Sequence, residues 1–257
     1  MICDSHGHLQ MLPEAERNEA IARARAAGVS KILVPGTTVE DSRRAVEVAE
    51  SHDGVFAAVG IHPHEAKDFD EDRTLKIFEE LLRSPKAVAV GEIGLDFHYD
   101  HSPRDVQVRA LRTQLAFARD RDLPVLLHNR ESGREMLELL EAEPRRAGPG
   151  VFHSFTEDGE YGARAIALGY RISFSGMITF KAAENIRAAA RALPLASLLV
   201  ETDSPFLAPE PHRGKRCEPA FVVETARRLA AVKGVPFEEV EAATTANFDA
   251  LFVPAPR

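Results

Sequence analysis

A short apolar run at the start of the chain leads into Asp4, His6 and His8, three polar side chains at every second position. Successive side chains of a β-strand point to opposite faces, so His6 and His8 share one face and can point at the same ion. Imidazole nitrogens are frequent ligands of divalent metal ions. The spacing therefore predicts metal chemistry at this end of the chain.

Further imidazole and carboxylate residues lie at the ends of later apolar runs. The runs AVAVGEIG (87–94), LPVLLH (123–128), GVFHS (150–154) and SLLVETD (197–203) supply Glu92, His128, His153 and Asp203. Polar groups gathered at one site of low dielectric constant must be paired or bound to metal. Four imidazoles and two carboxylates exceed what one tetrahedral ion with an open position needs. They predict two ions that share a carboxylate.

We divide the six residues between two ions and a bridge: His6, His8 and Asp203 for the first ion, His128 and His153 for the second, and Glu92 as the bridge. Two ions about 3.5–4 Å apart activate a hydroxide and stabilise an in-line phosphoryl displacement. Asp203 is also predicted to accept the proton of the attacking water. Zn, Mn, Fe, Mg, Co and Ni all remain open as the metal, because imidazole and carboxylate donors do not choose among them.

Residues around the six have weaker predicted roles. Asp4 and Glu201 share strand parity with His6 and Asp203, which predicts hydrogen bonding to the ligands; the alternative is a buried structural carboxylate. Asp96 is predicted to orient a histidine or a bound water. Contacts to substrate phosphates are predicted for His62, His64, Arg130, Arg213 and Lys215, against structural or solvated alternatives.

The elements that must position these residues follow an alternating pattern. Eight short apolar runs recur, the four above and ICDSH (2–6), KILVPG (31–36), VFAAVGIH (55–62) and YRISFSG (170–176). Continuous apolar runs are typical of parallel strands covered on both faces, and each parallel pair needs a crossover helix. The pattern predicts an α/β fold of the (β/α)8 TIM barrel type, a single domain over 1–257. An open doubly wound sheet is the alternative, but no glycine-rich phosphate loop follows the first strand.

Helical signals lie between the runs. Thr38 and Asp41 resemble a capping box at the start of a helix over 38–52. Ser102 is predicted as the N-cap of the next clear helix, with Pro103 at its first position. Two extra helices are predicted after residue 217, the first ending near Gly234.

The net charge, the cysteine count and the absence of long apolar stretches argue against several classes of protein. A net charge of −8 argues against a protein that coats nucleic acid through a broad basic surface, although it allows a few local phosphate contacts. Cys3 and Cys217 are the two cysteines, too few for a disulfide framework. With no signal peptide and no membrane-spanning stretch in the pattern, we expect a cytoplasmic protein, a monomer or a weak oligomer.

The motifs together resemble the TatD family of metal-dependent deoxyribonucleases, within the amidohydrolase-like metal barrels. The resemblance runs through DSHGHL at the start, GIHPH (60–64), GEIGLDFHY (91–99), LPVLLHNR (123–130), FHSFT (152–156), FSGMITFK (174–181), ETDSPFLAP (201–209) and RGKRCEP (213–219). It implies a single-domain TIM barrel in which the same six residues hold divalent ions. It also implies hydrolysis of DNA phosphodiesters, in several family members from a 3′ end.

Three functions remain open on the sequence. The first is a two-metal deoxyribonuclease acting 3′ to 5′ on single-stranded DNA ends. The second is a related hydrolase of another ester or amide, including aminoacyl-tRNA ester editing; many such barrels bridge their ions with a carboxylated lysine, whereas Lys86 precedes the run that Glu92 ends. The third is a metal-dependent binding protein without catalysis.

Overall fold

The computed structural model describes residues 1–143 and 150–253, in which eight parallel strands follow one another around a single sheet in chain order. The strands are β1 Ile2–Asp4, β2 Val29–Pro35, β3 Val55–Val59, β4 Ala87–Asp96, β5 Val125–Arg130, β6 Gly150–Phe152, β7 Arg171–Phe174 and β8 Leu198–Val200. Each of the eight predicted runs therefore overlaps a strand. The predicted domain 1–257 also takes in 144–149 and 254–257, which lie outside the described ranges.

The sheet closes into a barrel just beyond the last residues of β1 and β8. The backbone N–H of Asp203 donates to the carbonyl of His6 over 2.8 Å, and Gly7 and Ser204 form an isolated parallel bridge. The predicted (β/α)8 barrel is confirmed, and the open sheet is not formed. Two predicted metal ligands, His6 and Asp203, thus lie in the seam that joins the first strand to the last.

Helices connect the strands and pack on the outside of the barrel. They are α1 Glu14–Ala26, α2 Val39–Ser51, α3 Glu71–Leu81, α4 Arg104–Arg119, α5 Gly133–Ala142, α6 Gly159–Ala167, α7 Glu184–Ala192, α8 Val222–Lys233 and α9 Phe237–Phe252. The two predicted extra helices after residue 217 are α8 and α9. Gly234 ends α8 with a left-handed backbone (φ 67°), as predicted.

Helix α9 covers the amino end of the barrel. Its Phe248 and Phe252 join the inward-facing side chains of the strands in one buried cluster. The Phe248 ring lies 6.2 Å from the ring of Phe56, near the start of β3. The hydroxyl of Thr245 donates to the carbonyl of Met1 over 2.8 Å. With this end covered, the carboxyl end of the barrel is left for the polar residues.

Two helix starts differ in how well the sequence predicted them. Thr38 caps α2 as predicted, because its hydroxyl accepts from the backbone N–H of Asp41. The helix predicted after Ser102 is present as α4, but its predicted cap is wrong: Pro103 is the N-cap, and the helix begins at Arg104. The hydroxyl of Ser102 instead donates to the carbonyl of His64 over 2.7 Å and accepts from the backbone N–H of Lys67. The Ser102 hydroxyl thus bonds to the loop around His64 and Lys67 and does not cap the helix.

The predicted strand ends also need correction. Glu92 and His128 lie inside β4 and β5, which continue to Asp96 and Arg130. β4 carries a register shift between Val90 and Ile93. Such an irregularity re-aims a side chain, so Glu92 need not end its strand to reach the barrel mouth.

In the residues that the structure describes, no helix has the length and apolar character needed to cross a membrane.

Candidate metal centre

The six predicted ligands meet at the carboxyl end of the barrel. Glu92 and His128 come from within their strands, whereas His6, His8, His153 and Asp203 follow β1, β6 and β8. A cleft of about 440 Å³ opens over them. Its lining includes five of the six, all but His6, together with Met11, Thr37, His62, His64, Glu65, Tyr99, Arg130 and Phe206.

A first group of donors lies at the seam of the barrel. The Nε2 atoms of His6 and His8 are 3.2 Å apart. Asp203 Oδ1 lies 3.4 Å from His8 Nε2 and 3.8 Å from His6 Nε2. These three residues form one of the clusters whose ligand atoms are close enough together to hold an ion. They are the three that the sequence assigned to the first ion.

A second group of donors lies across the cleft. His128 Nδ1 and His153 Nε2 are 3.3 Å apart. Both face the same carboxylate oxygen of Glu92, Oε1, at 2.9 Å from His128 Nδ1 and 2.8 Å from His153 Nε2. The structure thus brings together the pair predicted for the second ion.

Glu92 stands between the two groups, with one oxygen toward each. Its Oε2 lies 3.4 Å from His6 Nε2 and 3.9 Å from His8 Nε2, while Oε1 faces the second group. Its neighbour Gly91 allows β4 to lie close to β5, because a Cβ at Gly91 would run into the side chain and backbone of Leu126. This is the arrangement that a bridging carboxylate requires.

Burial and mutual charge set the ionisation of these groups. Burial alone would raise the pKa of Glu92, but the imidazoles of His153, His62 and His6 hold it well below the usual range. Burial would lower the pKa of His153, yet the carboxylates of Glu92 and Glu201 raise it well above the usual value. The carboxylate is therefore ionised at neutral pH, and the protein without ions holds protons on histidines at this site.

Glu201 and Asp96 orient the second pair of histidines. His153 Nδ1 lies 3.2 Å from Glu201 Oε1, which also accepts from the backbone N–H of Ser154 over 2.7 Å. His128 Nε2 lies 3.1 Å from Asp96 Oδ2. A carboxylate on the outer ring nitrogen fixes the ring and leaves the inner nitrogen free for metal.

Asp4 acts through the backbone instead. Its carboxylate accepts from the N–H of Thr202 (2.9 Å), the hydroxyl of Thr202 (2.6 Å) and, over 3.3 Å, the N–H of His6. Complete burial raises the pKa of Asp4 to about 8. Its contacts tie the residue after β1 to the residue after β8, at the seam where the first donor group lies.

Of the residues predicted to contact substrate, His62, His64 and Arg130 line the cleft but have different partners. His62 faces Glu92 Oε1 at 3.4 Å, and its Nδ1 accepts from the backbone N–H of His64. His64 Nε2 lies 2.8 Å from Asp96 Oδ2, so this ring supports Asp96 and does not face Glu92. Arg130 lies on the cleft wall, with its guanidinium 4.6 Å from the centre of the Tyr99 ring.

Arg213 and Lys215 are absent from the lining of the cleft. The Arg213 guanidinium stacks on Phe180 at 3.9 Å and donates to the carbonyl of Ala208 over 3.0 Å. Both residues are exposed on the irregular connection after β8. Their predicted contact with substrate remains a prediction, and it concerns a strand that extends beyond the cleft.

Sequence reasoning missed Gln107 and the apolar side chains of the cleft rim. Gln107 of α4 is fully buried; its Oε1 accepts from the N–H of Asp96 (2.8 Å) and its Nε2 donates back to the Asp96 carbonyl (3.0 Å). It holds the strand end that carries Asp96. A glutamine on the buried stripe of a helix was the available signal.

The donor set fits divalent ions. Imidazole nitrogens that face one another at 3.2 and 3.3 Å in buried surroundings, with carboxylate oxygens between, leave lone pairs that an ion would satisfy together. His6, His8 and Asp203 would hold one ion, His128 and His153 the other, with Glu92 shared. The buried Nδ1 of His6 has no hydrogen-bond partner among the described residues. The His6 ring therefore lacks the supporting carboxylate that His128 and His153 have.

A closed (β/α)8 barrel with convergent histidines and carboxylates at its carboxyl end has the architecture of a metal-dependent barrel enzyme. The model of the TatD related DNase family matches residues 3–253, and the chain belongs to this family. The resemblance predicted from the motifs is thus confirmed.

The relatives agree with this assignment. The chain is 38% identical to the metal-dependent hydrolase YabD of Bacillus subtilis (strain 168), over 98% of this chain and 99% of that one. It is 37% identical to the metal-dependent hydrolase YcfH of Escherichia coli (strain K12), covering 98% of this chain and 95% of that one. The crystal structure of YjjV, a TatD homologue from Escherichia coli K12, superposes with a TM-score of 0.89 at 34% identity and covers 98% of both chains.

Proposed function

We propose that the protein is a two-metal deoxyribonuclease that removes nucleotides from single-stranded DNA ends in the 3′ to 5′ direction. The observation that carries this proposal is the position of Glu92, whose Oε2 faces one pair of histidines while its Oε1 faces the other pair and His62. A carboxylate shared in this way suits two ions placed to act on one phosphodiester. When bound, the ions would lower the pKa of a water and offset the charge that develops on the phosphate.

Asp203 is the group placed to take the proton of the attacking water. Burial raises its pKa, but the hydrogen bond from His8 and the nearby histidines bring the pKa below its usual value, so it is a carboxylate at neutral pH. Its side chain keeps 14% of its surface exposed, and it lines the cleft. It is thus both basic and reachable, as a proton acceptor must be.

Beside the donor groups, the cleft offers a phosphodiester one cationic side chain and one uncharged imidazole. Arg130 and the neutral face of His62 border the donor groups from the β5 and β3 sides. Burial lowers the pKa of His62 to about 4, so His62 is uncharged at neutral pH and offers a hydrogen bond without repelling the cations. Lys86, the alternative bridge in related barrels, lies over the Phe56 ring at 5.3 Å and is not on the cleft wall.

The test combines metal counting with product analysis. A single-stranded DNA oligonucleotide labelled at its 5′ end is incubated with the protein alone, with excess EDTA, and after Mn²⁺, Mg²⁺, Zn²⁺, Co²⁺ or Ni²⁺ is restored. We expect a ladder that shortens one nucleotide at a time from the 3′ end, lost with EDTA and regained with metal. Two ions per chain should be found by elemental analysis of the active form.

The Glu92→Ala and His128→Ala variants separate a bridge from a single-ion ligand. Glu92→Ala should lose turnover by at least about 100-fold, with both ions weakened, because it removes the charge shared by the two groups. His128→Ala should lose less turnover and one ion. The outcome against the proposal is wild-type metal content and activity in Glu92→Ala.

The substrates that are cleaved decide among the three functions. Hydrolysis of esters, lactones or aminoacyl-tRNA without DNA cleavage would favour the related hydrolase, and no turnover with any metal would favour the metal-dependent binding protein.

A further inference from the structure

The largest exposed apolar side chains gather at the mouth of the cleft. Of the four that the described residues leave exposed, Met1 is the first residue of the chain, and Met11 (43%), Tyr99 (49%) and Phe206 (52%) line the cleft. Exposing such side chains is unfavourable in water, so their clustering at one opening indicates a ligand surface.

Each of the three side chains is tied to the metal centre through its backbone. The N–H of Phe206 donates to the carbonyl of Asp203 over 2.8 Å, and the N–H of Met11 donates to the carbonyl of His8 over 3.1 Å. The N–H of Tyr99 donates to Asp96 Oδ1 over 3.0 Å. The backbone that carries each apolar group is therefore hydrogen-bonded to a residue of the centre or to the Asp96 that supports it.

The two aromatic rings stand beside different donor groups. Phe206 lies edge to face with His8, at 6.1 Å between ring centres, next to the first group. Tyr99 lies parallel to His101, at 5.6 Å between ring centres, with the Arg130 guanidinium 4.6 Å from its ring centre, and 49% of Tyr99 stays exposed and able to meet a base. Tyr99 also contacts His64, which supports the Asp96 of the second group. A ligand that spans both groups would therefore meet a ring on each side.

Few cations are available at the opening to bind a phosphate backbone. Arg130 is the sole lysine or arginine that the described residues place in the lining, and the chain as a whole carries a charge of −8. Bound ions would hold one phosphate, and with a single cation on the cleft wall the rest of the substrate would need another kind of contact. Aromatic and thioether side chains supply it by packing on the flat face of a base.

We propose that Met11, Tyr99 and Phe206 form a stacking rim, which receives the unpaired nucleobases on either side of the phosphodiester held at the metal centre. The inference rests on the proposed function and names what selects its substrate. Paired bases in a duplex have their faces covered by neighbours, whereas single strands leave them free. The rim thus favours single-stranded ends by contact with the bases.

The test compares a single-stranded oligonucleotide with one of equal length whose terminal residues carry tetrahydrofuran in place of the base. For each protein, kcat/KM on the normal substrate is divided by kcat/KM on the abasic one. Tyr99→Ala and Phe206→Ala should each reduce this ratio by about 5- to 150-fold, the range that loss of one stacked base gives. Tyr99→Phe and Phe206→Tyr keep a ring at each position and should keep the wild-type ratio.

The outcomes separate this inference from the proposed function. If the wild type cleaves neither oligonucleotide, the deoxyribonuclease proposal fails and the rim fails with it. If the wild type cleaves both equally, or the alanine variants keep its ratio, the rim is refuted while the nuclease stands. Thermal unfolding identifies a variant that fails to fold, in which case Phe206→Leu, apolar but without a ring, replaces Phe206→Ala and should lower the ratio likewise.

Discussion

At the scale of single residues, His153 shows how the charges of the centre depend on one another. Its two ring nitrogens face Glu92 and Glu201, at 2.8 and 3.2 Å. These carboxylates raise the pKa of the imidazole although burial opposes protonation. A nitrogen that carries a proton cannot donate a lone pair, so the proton and the metal ion compete for the same atom.

This competition predicts proton release on metal binding. Because the pKa of His153 is raised, protonation begins at a higher pH than for an ordinary imidazole. Apparent metal affinity should therefore fall as the pH is lowered from about 8 to about 6. Calorimetric titration of the metal-free protein at pH 7, in two buffers of different ionisation enthalpy, should show at least about one proton released per chain.

Glu201→Gln is the matched variant for this measurement. It keeps the shape of the side chain but removes one of the two negative charges that face His153. The pKa of His153 should fall, and fewer protons should be released at pH 7. Metal binding that releases no proton in the wild type would show that the histidines are already neutral.

At the scale of elements, the pairing of β4 with β5 sets the position of the second donor group. Gly94 pairs with His128 in the parallel register and has a backbone φ of 153°. A Cβ at this position would overlap the carbonyl oxygen of His128. The approach of the two backbones therefore depends on glycine, and the position of the His128 ring depends on that approach.

Gly94→Ala should weaken both the fold and the second ion. We expect a loss of about 1–3 kcal/mol in the free energy of unfolding, because two strands must separate to admit the methyl group. Urea denaturation and metal titration measure the two effects. Gly28→Ala is the control, since Gly28 also has a positive φ (88°) but open space around its Cβ. It should destabilise the fold without changing metal affinity; equal metal affinity in Gly94→Ala would contradict the prediction.

At the scale of the whole molecule, the negative net charge has the same sign as the proposed DNA substrate. The chain carries −8, and the positive groups near the cleft are Arg130 on its wall and Arg213 and Lys215 on the connection after β8. Phe206 lies on that same connection, so we expect a long strand that leaves the cleft past Phe206 to reach those cations. Their contribution should depend on the length of the DNA.

Salt dependence tests this expectation. For single strands, each phosphate contact contributes about −0.7 to the slope of log affinity against log salt. Short oligonucleotides should give a shallow slope in the wild type, and longer ones a steeper slope. The double variant Arg213→Ala with Lys215→Ala should remove the increase with length and leave metal content unchanged. Identical slopes for the two proteins at every length would show that Arg213 and Lys215 do not contact DNA and lie on a solvated loop.

The sequence by itself determined the barrel and the six candidate ligands. Apolar runs that end in histidine or carboxylate are local features, and alternation with helical stretches leaves few folds that bury every run. The motifs around Glu92 and Asp203 also carried the resemblance to the family. These properties depend on residues close together in the chain, which is why the sequence alone reveals them.

Only the tertiary structure decided how the side chains meet. The division of the Glu92 oxygens between two groups, the pairing of His64 with Asp96, and the support of Asp96 by Gln107 all join residues from different strands and helices. The same holds for the rim, where Tyr99 follows β4 and Phe206 follows β8. Such contacts exist only once the barrel closes, because closure brings the carboxyl ends of all the strands to one mouth.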